Sequence, residues 1–202
     1  MKKVILLILI ILSFSSVCFA QTSPSSTTNV LQTPSKKTVG IFLETPSALV
    51  INKTTKDFMM RKANRIFPSE KFNILPLAIT SNAINSYRPA NRTANVYLAQ
   101  PLDRLDIQAM AKNLNCDYAF YITINKGLPS MSADLNSATY KTSVTCEFRI
   151  LNVQNENYVI HKQITQESSS DTVKNGIPTF DNPYSDALER ALMNLDIDAH
   201  NL

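Results

Sequence analysis

Residues 105–124 read LDIQAMAKNLNCDYAFYITI, and this stretch decides the fold. Its apolar residues first recur at three-to-four spacing and then follow one another almost without interruption, so the pattern predicts a helix that leads directly into a buried strand. Asp103 stands just before the helix and is predicted to be its N-cap. The predicted apolar face of the helix consists of Ile107, Met110, Ala111 and Leu114.

The chain before this stretch predicts two strands and one long helix. TVGIFLE, residues 38–44, is a short apolar run typical of a buried strand, and residues 52–67 form an amphipathic helix. FNILPLAI, residues 72–79, predicts a second strand, which Pro76 restricts to an edge or ends early. A helical turn is expected at 83–87, and residues 88–101 are expected to be irregular.

The chain after it predicts a hairpin and a closing helix. Apolar and polar residues alternate over 140–150, which predicts a half-buried strand, and NVQNEN at 152–157 turns it back into an antiparallel strand at 158–165. Asn182 and Pro183 predict the start of a helix that ends near 197. The predicted fold class is therefore α/β of the α+β type, with a single mixed sheet, helices packed mainly on one face, and the order β-α-β-α-β-β-β-α.

The first 20 residues, MKKVILLILIILSFSSVCFA, have the basic start, apolar run and small final residue of a signal peptide. We expect cleavage between Ala20 and Gln21, because the residues before Cys18 do not fit a lipoprotein signal. The apolar run is about nine residues, too short to span a bilayer, so no transmembrane anchor is expected after cleavage. The protein is therefore predicted to be exported, either periplasmic or secreted.

Two further segments follow the signal. Residues 21–37 are rich in Ser, Thr, Pro and Gln and predict a flexible polar tether, and residues 38–202 are expected to form a single α/β domain. Removal of Lys2 and Lys3 with the signal lowers the formal net charge from +4 to +2. Without a basic stripe, nucleic acid is not an expected partner.

The composition argues against cofactor sites of the common kinds. Only three glycines occur in the chain, whereas phosphate-binding loops need several close together, so no nucleotide cofactor is expected. The two histidines and the cysteines match no zinc-binding spacing, and no metal site is predicted.

The two cysteines that remain after cleavage are Cys116 and Cys146. In an exported protein an even pair can form a disulfide, and since they lie near consecutive strands they are expected to be spatial neighbours. Two buried thiols are the equal alternative.

The segment 126–139, KGLPSMSADLNSAT, is longer than a hairpin connection requires and carries Leu128, Met131 and Leu135. These side chains are expected either to fold back and cover the sheet or to remain exposed as a contact for a partner.

Three segments carry a resemblance to known proteins: residues 105–124, the hairpin CEFRILNVQNENYVIHKQI at 146–164, and the helix SDALERALMNL at 185–195. In this order they resemble a group of bacterial envelope α/β domains that comprises the periplasmic part of the curli-secretion lipoprotein CsgG, the penicillin-binding-protein activator LpoB and the N-terminal domain of TolB. The hairpin turn departs from that group in lacking its usual glycine. The resemblance implies an envelope location and a protein partner.

We therefore expect an exported, non-enzymatic binding or assembly module of the bacterial cell envelope, with an envelope protein or complex as its partner. Formation of a homo-oligomer is compatible with this hypothesis, and a surface-filament subunit is a further alternative. The main alternative is a small exported hydrolase or ligand-binding enzyme with a site around His161, although no nucleophile lies near that histidine in the sequence.

Overall fold

A computed structural model describes residues 35–45, 51–91, 101–174, 181–198 and 202 of the 202-residue chain. The predicted signal peptide, most of the tether and His200 lie outside the described residues. The described strands are β1 (Lys37–Glu44), β2 (Phe72–Ile74), β3 (Tyr118–Lys126), β4 (Ser130–Ala133), β5 (Ser137–Asn152), β6 (Asn157–Ser169) and β7 (Val173–Lys174). The described helices are α1 (Lys53–Ile66), α2 (Leu77–Asn91), α3 (Arg104–Asn113) and α4 (Asp181–Met193).

All seven strands belong to one mixed sheet with the order β2-β1-β3-β5-β4, and β6 and β7 pair along the opposite edge of β5. β2, β1 and β3 run parallel to one another, whereas β5 is antiparallel to β3 and to β6. The hairpin of β5 and β6 has its turn at residues 153–156, inside the predicted NVQNEN segment. The predicted single mixed sheet and its α/β class are confirmed.

Helices pack on both faces of the sheet. The first face, which carries Ile41 and Phe120, is covered by α1 and α4, and the second face, which carries Phe42 and Tyr121, is covered by α2 and α3. The expectation that the helices pack mainly on one face is therefore wrong. The sequence pattern predicts only a short helical turn within the segment that forms α2, so it omits one of the two helices on the second face.

The segment after β2 differs most from its prediction. The strand expected at 72–79 ends at Ile74, and residues 77–91 form the helix α2. Pro76 immediately precedes the helix, where its fixed φ angle favours helix entry. The predicted turn at 83–87 lies inside this helix, while residues 92–100 lie outside the described residues.

The ends of α3 and α4 are set by local chemistry. Asp103 caps α3 as predicted, because its side chain accepts a hydrogen bond from the backbone N–H of Asp106 at 2.9 Å. The Asp106 carboxylate in turn accepts a hydrogen bond from the backbone N–H of Asp103 at 2.9 Å. This capping box satisfies two N–H groups that the helix leaves unpaired. The closing helix begins at Asp181, slightly before the predicted start at Pro183.

Candidate functional site

A polar cluster lies on the second face of the sheet, beyond the side chains that α2 and α3 cover. Glu44 on β1, Thr123 on β3 and Glu147 on β5 are aligned in register across three neighbouring strands. In the next row, Tyr121 lies opposite Arg149, and Arg149 lies opposite His161 on β6. Because side chains alternate along strands, all of these groups face the same side.

Glu44 is the buried end of this cluster. Its carboxylate forms an ion pair with Arg88 of α2 and accepts hydrogen bonds from the Tyr121 hydroxyl and from the backbone N–H of Leu102, the latter at 3.2 Å. Burial of the hydroxyl raises the pKa of Tyr121 above its usual value. A carboxylate with three donors is held in place, so this end of the cluster ties α2 and the entry to α3 onto the sheet.

Glu147 lies at the other end of the cluster, where its carboxylate is half-buried and His161 is exposed. Its Oε1 atom lies 2.9 Å from Nε of Arg149 and 2.6 Å from Nε2 of His161. Burial acts to raise the pKa of Glu147, but the hydrogen bonds from Arg149 and His161 outweigh it and hold the pKa below its usual value. The Arg149 guanidinium also lies 5.8 Å from the ring centre of Tyr158.

An imidazole beside a carboxylate is one part of a catalytic triad, but the nucleophile is missing from this arrangement. Among the described residues, His161 hydrogen-bonds to Glu147 and to no Ser, Thr or Cys side chain. Burial raises the pKa of Cys116 to about 11 and that of Cys146 to about 12, so both remain protonated thiols near neutral pH. The cluster therefore shows no activated nucleophile.

The prediction that Cys116 and Cys146 are neighbours is wrong. Both are free and buried. Cys146 lies opposite Ile124 on the first face, whereas Cys116 contributes to the core on the second face, two residues before the start of β3. The six residue steps from Tyr118 to Ile124 alone span about 20 Å of strand, and a disulfide requires Cα atoms within about 7 Å.

The segment 126–139 is a hairpin and not an unstructured loop. β4 pairs with the start of β5, with Met131 opposite Tyr140 and Ala133 opposite Ala138. β7 pairs with the other edge of β5 at Ala138, so three strands meet there. We call residues 127–143, which comprise β4, its turn at 134–136 and the start of β5, the β4 hairpin.

Both ends of the β4 hairpin are fixed by specific contacts. At the tip, Asp134 Oδ1 accepts from the backbone N–H groups of Asn136 and Ser137, at 3.1 and 2.7 Å. At the base, Gly127 donates its backbone N–H to Ser143 at 2.9 Å. A Cβ atom at Gly127 would lie 1.9 Å from Ser143 Oγ, so glycine permits this close approach.

The three apolar side chains of this segment are exposed. Leu128 is 96% exposed, Met131 is 58% exposed, and Leu135 at the tip is fully exposed. The sequence left two outcomes open, and the structure shows the second: these side chains do not fold back over the sheet but remain exposed. All four residues of β4 are exposed.

Sequence reasoning named His161 but missed the residues around it. Glu147 and Arg149 were on the solvated side of the predicted β5 strand, and an acid and a base two residues apart on one face are a readable signal. Arg88 gave no such signal, because its partner Glu44 is 44 residues away.

The described part of the chain contains no group of three or more His, Cys, Asp or Glu side chains arranged to hold a metal ion. Within the same residues, no helix has the length and apolar character needed to cross a membrane.

The fold defines a mixed α/β sheet domain, and solved structures of several bacterial proteins are similar to it. A lipoprotein from Neisseria meningitidis is 12% identical over 78% of this chain and 96% of its own, with a TM-score of 0.39. The C-terminal domain of LpoB from Salmonella enterica is 15% identical over 64% of this chain and 81% of its own, with a TM-score of 0.33.

A hypothetical protein from Chlamydia trachomatis is likewise 15% identical over 79% of this chain and 92% of its own, with a TM-score of 0.37. No protein-family model and no curated protein sequence matches the chain. Similarity at these values carries no argument about activity.

Proposed function

We propose that the chain is an exported, non-enzymatic binding or assembly module of the bacterial cell envelope, and that the β4 hairpin contacts a protein partner. The observation that carries the proposal is the exposure of Leu128, Met131 and Leu135 on a hairpin whose backbone is hydrogen-bonded at its tip and base. Export rests on the signal-like residues 1–20.

The exposed apolar side chains would contribute binding free energy if a partner buried them. Burial of a Leu or Met side chain contributes about 1.5–3 kcal/mol relative to exposure, and the fold leaves most of this unrealised for the three residues. The fixed turn around Asp134 reduces the conformational entropy that the tip would lose on binding. A rigid apolar tip therefore favours an anchor for another protein.

The surroundings of the tip define the kind of partner that it fits. Ser130 and Ser132 flank Met131 along the chain, and Asn136 follows Leu135. Small polar residues interspersed with apolar ones are compatible with the polar rim of a protein interface. We propose that the partner offers an apolar pocket with uncharged hydrogen-bonding groups at its border.

Affinity capture from the native envelope tests the proposal with a matched pair of variants. The double variant Met131→Ser and Leu135→Ser removes the apolar groups of the hairpin and should abolish capture. Leu105→Ser removes an exposed leucine of α3, on a different part of the surface, and should leave capture unchanged. Capture at wild-type strength by the double variant would overturn the assignment of this hairpin.

The enzymatic alternative makes the opposite prediction for another residue. If the cluster around His161 were a hydrolase site, His161→Ala would abolish activity on ester or glycoside substrates while the fold stayed intact. We expect no such activity to be lost, because the cluster presents no activated nucleophile, and we expect His161→Ala to capture the same partner as the wild type.

A further inference from the structure

Helix α1 concentrates positive charge. It carries five basic side chains and one acid, Asp57, an excess of four that equals the formal net charge of the whole chain. Lys53 is paired with Asp57 at 2.8 Å near the start of the helix. Of the four cations that remain, Lys56 lies near the start of the helix, and the other three lie toward its end: Arg61, Lys62 and Arg65.

These three cations line a depression of about 400 Å³ between α1 and the end of α4. Phe58, Asn64 and Met193 complete its lining. Lys62 ties the two helices together, because its Nζ atom donates to the backbone carbonyl oxygens of Met193 at 3.0 Å and Leu195 at 3.4 Å. Lys62 therefore stabilises the packing of α4 against α1, and its ammonium group is already occupied by these two carbonyl oxygens.

Arg61 and Arg65 are the cations that remain available. They lie one helical turn apart, and no described carboxylate forms an ion pair with either. Arg65 lies in the last turn, where a cation interacts favourably with the helix dipole, but Arg61 at this spacing repels it. The Arg61 guanidinium lies 5.5 Å from the ring centre of Phe58, which limits the directions in which it can point.

The chemistry of the depression specifies an anion attached to an apolar body. Guanidinium groups bind phosphate oxygens through two parallel hydrogen bonds, and two of them one turn apart can hold a single phosphate group. Phe58 is half-buried, and Met193 is 58% exposed with no covering side chain described. A free phosphate ion would use the two arginines and leave both apolar groups in water.

We propose that this depression binds the phosphate headgroup of an anionic phospholipid, with Arg61 and Arg65 on the phosphate and with Phe58 and Met193 against the glycerol and acyl carbons. The site is separate from the β4 hairpin. Tyr184, near the start of α4, donates its hydroxyl to the Gly127 carbonyl at the hairpin base at 3.4 Å, whereas the depression lies at the other end of that helix. The helix is about 20 Å long. A membrane surface and a protein partner can therefore be engaged at the same time.

The test uses vesicle flotation with the predicted mature chain, residues 21–202, which contains every described residue. Vesicles of phosphatidylcholine alone are compared with vesicles that also contain phosphatidylglycerol. We expect binding only to the second kind. Arg61→Gln with Arg65→Gln should weaken it by about 10- to 30-fold, since loss of each guanidinium hydrogen bond to the phosphate costs about a factor of five.

The matched control is Lys53→Gln with Lys56→Gln, which removes the same charge from the same helix outside the depression. It should bind within about threefold of the wild type if the phosphate is held at one site. Equal losses in the two double variants would overturn the proposal in favour of diffuse attraction. Absence of binding to phosphatidylglycerol would also overturn it, as would full competition by inorganic phosphate at an equal phosphate concentration. These results leave capture through the β4 hairpin unaffected, so the two proposals fail separately.

Discussion

The Asp134 carboxylate accepts the backbone N–H of Ser137 at 2.7 Å, and this bond closes the turn that holds Leu135 at the tip of the β4 hairpin. The Asp134 carboxylate also accepts a hydrogen bond from the Ser137 hydroxyl. This bond, together with those from the backbone N–H groups of Asn136 and Ser137, holds the pKa of Asp134 below its usual value. The turn is therefore intact at neutral pH without any help from burial.

Replacement of Asp134 by Ala should loosen this tip without unfolding the domain. The amide hydrogens of Asn136 and Ser137 lose their acceptor, so they should exchange faster with solvent, while the melting temperature stays nearly constant because the turn is exposed. Asp134→Asn keeps an acceptor oxygen and is the control. Unchanged exchange in Asp134→Ala would contradict this account of the turn.

The double variant Met131→Ser and Leu135→Ser should leave stability almost unchanged. Both side chains are exposed, and surface substitutions of this kind usually alter the free energy of unfolding by less than about 0.5 kcal/mol. Val144→Ala, at a fully buried position of β5, should cost about 1–2 kcal/mol in the same urea titration. A comparable loss in the double variant would mean that the hairpin packs back on the sheet.

The sequence predicted the elements whose pattern is strong and local. The apolar periodicity of α1 and α3, the cap at Asp103 and the alternation along β5 all reflect contacts within one element or one hairpin. β4 was missed because SMSA, its four residues, has no buried side and thus no apolar alternation. α2 was missed because the Pro76 signal fits both a strand end and a helix start.

The candidate sites were predictable only in part. Leu128, Met131 and Leu135 were identified from the excess length of the segment, but their exposure depends on where β4 pairs. The depression beside α1 brings together Arg65 and Met193, which are more than 120 positions apart in the sequence. The sequence pattern of one helix gives no indication that the other helix packs beside it. Such juxtapositions come from the packing of α4 on the sheet.

The two thiols should be protected in the folded protein. Burial raises the pKa of Cys116 to about 11 and of Cys146 to about 12, so little thiolate exists near neutral pH. An alkylating reagent should modify neither under native conditions and both in denaturant. A peptide linked between Cys116 and Cys146 in a non-reducing digest would contradict their placement on opposite faces of the sheet.

Glu147 should make stability depend on pH in the acid range. Its pKa is held below the value of the unfolded chain, about 4.3, so its contribution is present above that pH and is lost as the pH falls through the lower folded pKa. The stability advantage of the wild type over Glu147→Gln should therefore shrink below about pH 4. An advantage that stays constant through this range in urea titrations would show that the bonds to Arg149 and His161 do not stabilise the carboxylate.

If the tip of the β4 hairpin touches another protein, in-cell photo-crosslinking should capture that contact directly. A photoreactive amino acid at Leu135 should yield one discrete crosslinked protein in the envelope, whereas the same amino acid at the exposed Leu105 of α3 should not yield that product. Asp134→Ala introduced beside the probe should reduce the yield by loosening the turn. Irradiation that gives no crosslink at Leu135, or the same products from both positions, would contradict the claim.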